Sequence, residues 1–282
     1  MFHTNISNNT TDYESPGERE SPMQVCESCS YSGTGNRYPP AAGDTRDDNP
    51  GPLAGKTGSD KARITSAVAG CVIYVAINAV LLFGSAGTLD WPMAWAFIII
   101  SLAVFIAGIL RSSPDLLDER SRRHDDSKIW DRVIVSVLAA ISFIILIVAG
   151  LTVRFGMGGQ VPLNVQVLTL VILTLGNCLI VWATWTNRFF SATVRLQTDR
   201  GHEIVSDGPY RYVRHPGYAG MIVYSLFEPF ALGSYWAMAP AFLAVALFIV
   251  RTHLEDRTLR EELPGYREYS GRVRYRLVPY VW

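Results

Sequence analysis

The sequence predicts an all-α, polytopic integral membrane protein with five to six transmembrane helices, a C-terminal helical hairpin and a cytosolic C-terminal tail. The first observation is a set of long runs without any Asp, Glu, Lys or Arg, which cover residues 64–89, 91–110, 133–153 and 155–187. A further run, from Pro216 to Val250, contains a single charged residue, Glu228. An α-helix needs about 20 apolar residues to cross a bilayer, and lipid favours helices for such runs.

The second observation is the position of the basic residues, because Lys and Arg concentrate on the cytoplasmic side of membrane helices. They are frequent in the connections 111–132 and 188–215 and from Arg251 onward, and rare in the connections between these. This alternation predicts a cytosolic N-terminus, six crossings and a cytosolic C-terminus. The last two crossings form a hairpin that turns near residues 232–236, and the count becomes five if they pack as one bent unit.

The third observation is the polar composition of the first 62 residues, which are rich in Ser, Thr, Asn, Asp, Gly and Pro. Such a segment cannot bury enough apolar surface to offset its chain entropy, so we expect a disordered cytosolic tail. Its Cys26 and Cys29 form an isolated C-x-x-C, which we interpret as incidental rather than as a metal or redox site. The chain then divides into this tail (1–62), four transmembrane helices (63–186) and a C-terminal region (187–282).

Composition adds two negative expectations. The 25 basic and 25 acidic residues balance, so net charge gives no reason to expect a nucleic-acid partner. No H-x-x-x-H or H-E-x-x-H spacing is present, so no metal site is expected.

Glu228 is costly in an apolar helix, by about 2.5–3.5 kcal/mol. Because it lies roughly 18 Å along the helix from Pro216, near the outer end, we expect its carboxylate to reach the interface.

The stretch "GPYRYVRHPGYAG", residues 208–220, places cationic and aromatic side chains directly before a hydrophobic run. Pro216 suits the first position of the helix that follows. A helix start exposes unpaired N–H groups and partial positive charge, which suits a carboxylate or a ribose hydroxyl. The connection around it adds acceptors, phenols and an imidazole, namely Gln197, His202, Glu203, Tyr210, Tyr212, Tyr218 and His215. This set predicts a site for a polar ligand that carries a flat ring.

The other two cytosolic stretches receive different interpretations. Residues 252–263 predict a helix on which Arg257 and Glu261, four apart, share one face. The final "RVRYRLVPYVW" is typical of an amphipathic strap that lies on the membrane. We interpret the connection 111–132 as a charged face that fixes the orientation of the chain and meets lipid head groups.

The motif "GPYRYVRHPGY", followed by a hydrophobic hairpin and then by "DRTLREE", resembles the isoprenylcysteine carboxyl methyltransferases and their bacterial and archaeal relatives. Phospholipid N-methyltransferases share the same C-terminal half, and the resemblance is best from about Asn187 to Val278. It implies S-adenosylmethionine as the cofactor, bound without a Rossmann domain. It further implies that Arg257 orients the substrate carboxylate as the catalytic residue. Cofactor contacts are implied for Gln197, His202, Glu203, Ile204, Val205, Tyr210, His215, Pro216, Gly217, Tyr218 and Glu261.

The resemblance and the chemistry together favour methylation of the α-carboxylate of a C-terminal isoprenylated cysteine. A carboxylate is already ionised at neutral pH and needs a cation to orient it. The guanidinium of an Arg can do so through two parallel hydrogen bonds. N-methylation of a phospholipid or another amphipathic amine is the alternative, since Arg could also hold a phosphate, and a non-catalytic membrane protein that kept the fold is the third. The expected partners are membrane lipids and a lipid-anchored substrate that enters from the bilayer. The family expectation is the endoplasmic reticulum membrane in a eukaryote or the inner membrane in a prokaryote, with the site facing the cytosol.

Overall fold

The computed structural model describes residues 58–121, 126–157 and 161–282, and every regular element in these ranges is helical. This confirms the predicted all-α fold class. The helices are α1 (Gly58–Ala86), α2 (Pro92–Arg111), α3 (Pro114–Ser121), α4 (Ile129–Phe155), α5 (Leu163–Thr186), α6 (Pro216–Ala231), α7 (Met238–Glu262) and α8 (Tyr266–Arg272). Two 3₁₀ turns, Thr198–Arg200 and Gly208–Arg211, lie between α5 and α6.

The first helix begins earlier than the sequence analysis assigned. Residues 58–62, placed above in the disordered tail, form the start of α1, with Asp60 in its first turn. A carboxylate there is favourable because the N-terminus of a helix carries partial positive charge. Residues 1–57, with the predicted tail and its C-x-x-C pair, lie outside the described residues.

Within the described ranges, five helices are long and apolar enough to cross a membrane: α1 from Asp60, α2, α4, α5 and α7. The sixth, α6, has 16 residues and spans about 24 Å, somewhat less than the roughly 30 Å of a hydrocarbon core. The turn after it still reaches the far end of the bundle, because Ser234 Oγ lies 2.8 Å from Thr152 Oγ1, one turn before α4 ends. The helices α6 and α7 therefore form the predicted hairpin, whose first arm is the shorter one.

Small residues bring the helices close together. A Cβ atom added at Gly220 of α6 would lie 2.6 Å from the carbonyl oxygen of Gly176 in α5, and one added at Gly150 of α4 would lie 2.0 Å from Ser85 Oγ in α1. Close backbone approach at glycine is a common way for membrane helices to associate, since lipid offers no hydrophobic drive between them. The packing of α5 against α6 matters most for function, because it fixes the start of α6.

Glu228 lies inside this helical core rather than at its edge. The residue is 5% exposed, so its carboxylate does not reach the interface as we expected from its position along α6. The burial follows from the face of α6 that it occupies, which it shares with Ser225 and turns toward the bundle.

The end of the bundle at which α5 finishes and α6 begins is covered by polar segments, which we call the cap: residues 112–121, 126–128, 187–215 and 263–282. Backbone hydrogen bonds join its parts. The N–H groups of Arg214 and His215 donate to the carbonyl oxygens of Tyr275 and Arg276, each at 2.9 Å, and Lys128 N–H donates to Val194 O at 3.1 Å. The C-terminal strap thus runs beside the segment before α6.

Candidate active site

A cavity of about 270 Å³ lies between the cap and the first turns of α6. Its wall is formed by the loop after α5, by the segment before α6, and by one face of α7. The predicted site residues that line it are His202, Glu203, Ile204, Val205, Tyr210, His215, Gly217 and Tyr218. Residues that are far apart in the loop and in α6 are therefore brought to one site.

The start of α6 shapes one wall of the cavity. Pro216 is the first residue of the helix, as the sequence predicts, and it is buried without lining the cavity. The rings of His215 and Tyr218 stack at 5.8 Å with an angle of 19°. A Cβ atom at Gly217 would lie 2.6 Å from the ring of Phe190, so only glycine permits that ring to lie on the helix backbone. The result is a wall of aromatic faces.

Asp256 of α7 contacts His215, which stacks on Tyr218, and several other polar groups. Its carboxylate is fully buried and accepts hydrogen bonds from Arg214 at 2.7 and 3.2 Å, from Arg276 at 2.9 Å and from the hydroxyl of Tyr266 at 3.2 Å. His215 Nε2 lies 3.5 Å from the same carboxylate. A buried charge is tolerated when it is paired and hydrogen-bonded, so this cluster fixes the segment before α6, the strap and α7 relative to one another.

The loop after α5 carries the predicted ligand-binding glutamine, but its side chain supports the loop instead. Gln197 is 1% exposed and does not line the cavity. Its amide Nε2 donates to Phe189 O at 2.7 Å, and its Oε1 accepts from Arg200 at 2.5 Å. The backbone N–H of Gln197 donates to His202 Nδ1 at 3.3 Å, which leaves the ring proton on Nε2.

His202 lies against the ring of Phe189, with ring centroids 4.7 Å apart. Burial lowers the pKa of its imidazole, and the positive charges of Arg195 and Arg200 lower it further. The histidine is therefore neutral near pH 7 and can donate a hydrogen bond from Nε2 to a ligand. Burial likewise raises the pKa of Tyr210, so its phenol stays protonated and donates to Ala183 O at 3.3 Å.

Arg257 and Glu261, predicted from the resemblance, do not line the cavity. They form an ion pair with each other at 2.8 Å, and their side chains are 69% and 53% exposed. Six positions earlier on the same helix, Arg251 and Glu255 repeat the Arg-x-x-x-Glu spacing and do line the cavity. Six residues correspond to a rotation of roughly 240°, so the two pairs point to different sides of α7.

Arg251 is the arginine of α7 that meets the cavity. It donates to Asp131 from Nε at 2.7 Å and from Nη2 at 3.1 Å, and Nη2 also donates to Ala192 O at 3.0 Å. Its guanidinium lies 5.0 Å from the ring centre of Tyr218. Among the described residues Nη1 has no acceptor, so one edge of a rigidly held guanidinium remains available to a ligand.

Glu255 lies four residues after Arg251, on the same face of α7, and also lines the cavity. Its carboxylate accepts a hydrogen bond from the hydroxyl of Tyr218 and lies 3.9 Å from His215 Nδ1. The cavity therefore offers a carboxylate and aromatic rings beside a cation. Neither residue was identified from the sequence, although each stands where the apolar run of α7 gives way to charge, which was the available signal.

The connection 111–132 does more than the orienting role predicted for it. Glu119 of α3 pairs with Arg195 of the loop after α5 at 2.9 and 3.0 Å, with both side chains buried. Asp131 binds Arg251 and also accepts from Val194 N–H at 2.7 Å. These two acidic residues thus support the cavity wall from behind, because the lining residues Arg195 and Arg251 could not be buried without partners.

The fold and the cavity define a polytopic helical membrane protein with a polar, aromatic cavity at one end of its bundle. Residues 167–261 match the sequence model of the isoprenylcysteine carboxyl methyltransferase family. The match runs from α5 through the loop and the hairpin to the last turn of α7, about a third of the chain, and so includes most of the cavity wall. It confirms the resemblance to this family that the sequence motifs indicate, and it supports a membrane methyltransferase of the isoprenylcysteine type.

Proposed function

We propose that the protein transfers a methyl group from S-adenosylmethionine to the α-carboxylate of a C-terminal isoprenylated cysteine. The observation that carries the proposal is the open Nη1 edge of Arg251, held inside a cavity that also presents Glu255 and the rings of Tyr210 and Tyr218. A cation and a carboxylate side by side suit a reaction between an anionic acceptor and a positively charged donor.

The residues of the cavity fit the cofactor chemically. The aromatic rings of Tyr210 and Tyr218 can stabilise a sulfonium by cation–π attraction, and the carboxylate of Glu255 can accept from an ammonium. His202, neutral with its proton on Nε2, can donate to a nucleoside. The first turn of α6 offers backbone N–H groups and partial positive charge to a carboxylate. These residues supply recognition for each polar part of the molecule.

The proposed reaction requires the protein mainly to position the acceptor carboxylate relative to the methyl group. S-adenosylmethionine, when bound, supplies an electrophilic methyl group, which an ionised carboxylate takes in an in-line displacement without a general base. Arg251 is suited to orient that carboxylate, because Asp131 and Ala192 O already fix its guanidinium in one place. The isoprenoid chain of such an acceptor is apolar, so it would lie along the apolar helices.

N-methylation of a lipid amine is the second candidate, and Glu255 with Tyr218 is the observation in its favour. A carboxylate beside an aromatic face suits an ammonium as well as a sulfonium. Against it, Arg251 offers an amine acceptor no favourable contact, because a guanidinium repels an ammonium and cannot accept its hydrogen bonds. The amine would also have to lose its proton before it could attack. We therefore place the ester-forming reaction first.

The cofactor assignment is tested by the binding of radiolabelled S-adenosylmethionine to purified protein. Glu255→Gln should weaken binding, whereas Glu261→Gln, on the exposed face of the same helix, should leave it unchanged. Equal losses in the two variants would contradict the cavity as the cofactor site.

The reaction is tested with membranes that contain the protein, labelled cofactor and one of two acceptors, N-acetyl-S-farnesylcysteine or phosphatidylethanolamine. Base-labile label on the farnesylcysteine is expected. Label that is stable to base and confined to phosphatidylethanolamine would replace the proposal with the second candidate.

A further inference from the structure

Arg120 of α3 is a second cation at the cavity, and nothing in the sequence analysis drew attention to it. The residue is exposed and also lines the cavity, so it lies at an opening. Its guanidinium carbon lies 5.4 Å from the ring centre of Phe190. Among residues 58–121, 126–157 and 161–282, no carboxylate pairs with it.

Two other arginines of the cavity wall, Arg195 and Arg214, are already fully paired. Arg195 donates from all three guanidinium nitrogens to Glu119, Asp126 and Asp199. Arg214 donates from all three to Asp256 and to two strap carbonyls. Arg120 is thus the cavity arginine whose guanidinium keeps all its donors for a ligand.

The position of Arg120 is fixed by its neighbours. Its predecessor Glu119 is clamped to Arg195 by two hydrogen bonds, and Leu116 and Leu117 of the same helix are buried. The Phe190 ring beneath the guanidinium lies in turn on the backbone of Gly217, in the first turn of α6. Arg120 therefore stands at a defined distance from the deeper groups of the cavity rather than on a free surface.

The opening lies at the level of the membrane interface. The helix α3 begins three residues after Arg111, the last residue of the membrane-spanning α2. Arg111 stacks on Trp185 at 3.8 Å, and Trp185, near the end of α5, is 45% exposed. Tryptophan and arginine at helix ends mark the depth of lipid head groups. A lipid-anchored acceptor would present its polar end at this depth.

We propose that Arg120 binds the carboxylate of the lipid-anchored acceptor at this opening and thereby selects anionic acceptors over neutral or amine-bearing ones. The inference rests on the proposed function and adds an acceptor-binding residue to it. The planar guanidinium can hold a carboxylate by two parallel hydrogen bonds, and its aromatic support fixes the plane. Arg251, deeper in the cavity, would then orient the same group for reaction.

The test compares two ligands in four proteins. The ligands are N-acetyl-S-farnesylcysteine and its neutral carboxamide, and their binding is measured by equilibrium titration in phosphatidylcholine vesicles. The proteins are the wild type, Arg120→Gln, Arg120→Lys and the control Arg111→Gln, which removes a nearby interfacial cation that does not line the cavity. Binding of S-adenosylmethionine in each variant reports on the fold of the site.

The wild type is expected to bind the acid about tenfold more tightly than the carboxamide, the scale of a hydrogen-bonded charge pair. Arg120→Gln should abolish that preference, Arg120→Lys should restore part of it, and Arg111→Gln should keep it. In turnover assays Arg120→Gln should raise KM for the acid while kcat and the cofactor affinity stay near the wild-type values.

Two failures can be told apart. If the wild type forms the ester and Arg120→Gln keeps the full preference for the acid, the assignment of Arg120 is wrong and the proposed function stands. The same holds if Arg111→Gln loses the preference equally, since general surface charge would then explain it. If the wild type binds acid and carboxamide alike and forms no ester, the proposed function fails and the role of Arg120 fails with it.

Discussion

Replacing Arg251 by glutamine should cost far more stability than the same change at Arg257, although both belong to an Arg-x-x-x-Glu pair on α7. Arg251 holds a fully buried carboxylate, Asp131, by two hydrogen bonds. Removing one partner of such a pair leaves an uncompensated buried charge, which costs about 3–5 kcal/mol. Arg257 is 69% exposed and pairs with a half-exposed Glu261, and solvent screens such pairs, so its loss should not measurably change stability.

The assay is unfolding in mixed micelles, with the free energy of unfolding taken from the midpoint and slope of a denaturing-detergent titration. A double variant, Arg251→Gln with Asp131→Asn, should recover much of the loss, because it removes the unpaired charge. The new amide oxygen at position 131 can still accept the Val194 N–H, which donates to Asp131 at 2.7 Å. The double variant should nevertheless fail to methylate an anionic acceptor, since the cation is gone. Stability and chemistry are thereby separated.

Equal stability losses in Arg251→Gln and Arg257→Gln would refute the reasoning, because they would mean that the helix does not bury one pair and expose the other. A double variant no more stable than Arg251→Gln alone would refute the specific claim that an unpaired Asp131 causes the loss. Retained methylation in the double variant would remove Arg251 from the reaction.

Three further outcomes follow from the packing and charges. Gly220→Ala should lower the free energy of unfolding by about 1–3 kcal/mol, because its methyl group would meet a backbone oxygen at 2.6 Å, whereas Gly271→Ala, with open space around it, should not destabilise α8. Lowering the pH from about 7 to 5 should lower the free energy of unfolding, because the unfolded chain takes up a proton at His202 near its ordinary pKa of about 6.5, whereas the lowered pKa in the folded chain opposes protonation. In a series of unfolding titrations, His202→Asn should reduce the dependence of this free energy on pH. Asp256→Asn should weaken cofactor binding by filter assay, because the uncharged amide keeps one acceptor oxygen where the carboxylate offers two, to His215 and to Arg276 of the strap.

The fold was predictable because it depends on properties that extend over many residues. Runs of about 20 apolar residues and the alternation of basic connections determine the number and direction of long helices, and α1, α2, α4, α5 and α7 appear accordingly. The boundary of α1 was less predictable, since a helix start depends on a few polar residues whose composition also suits a tail.

Site residues were predictable where neighbouring residues in the chain determine their position. They were less predictable where a contact with a residue far away in the sequence determines it. The segment His215 to Tyr218 could be placed because Pro216 itself starts the helix. The choice between the two Arg-x-x-x-Glu pairs of α7 could not, because both satisfy the same spacing. What decides it is Asp131, 120 positions away from Arg251 in the chain. The supporting role of Gln197 was equally unpredictable, because its side-chain amide donates to Phe189 O and accepts from Arg200 within its own loop.

The charged residues around the cavity fall into two groups, those that are paired with one another and those that are open to a ligand. Arg195 and Arg214 are neutralised by Glu119 and Asp256, so they build the wall without contributing an available charge. Among the described residues that line the cavity, the Nη1 edge of Arg251 and the guanidinium of Arg120 remain open to a ligand, and Glu255 adds a carboxylate on the same face of α7 as Arg251. Arg251 and Arg120 supply positive charge for an anionic acceptor, and Glu255 with the rings of Tyr210 and Tyr218 suits a cationic donor. If Arg251 only stabilised the cap, its buried guanidinium would have all of its donors paired, as those of Arg195 and Arg214 are, because an unpaired buried donor is costly.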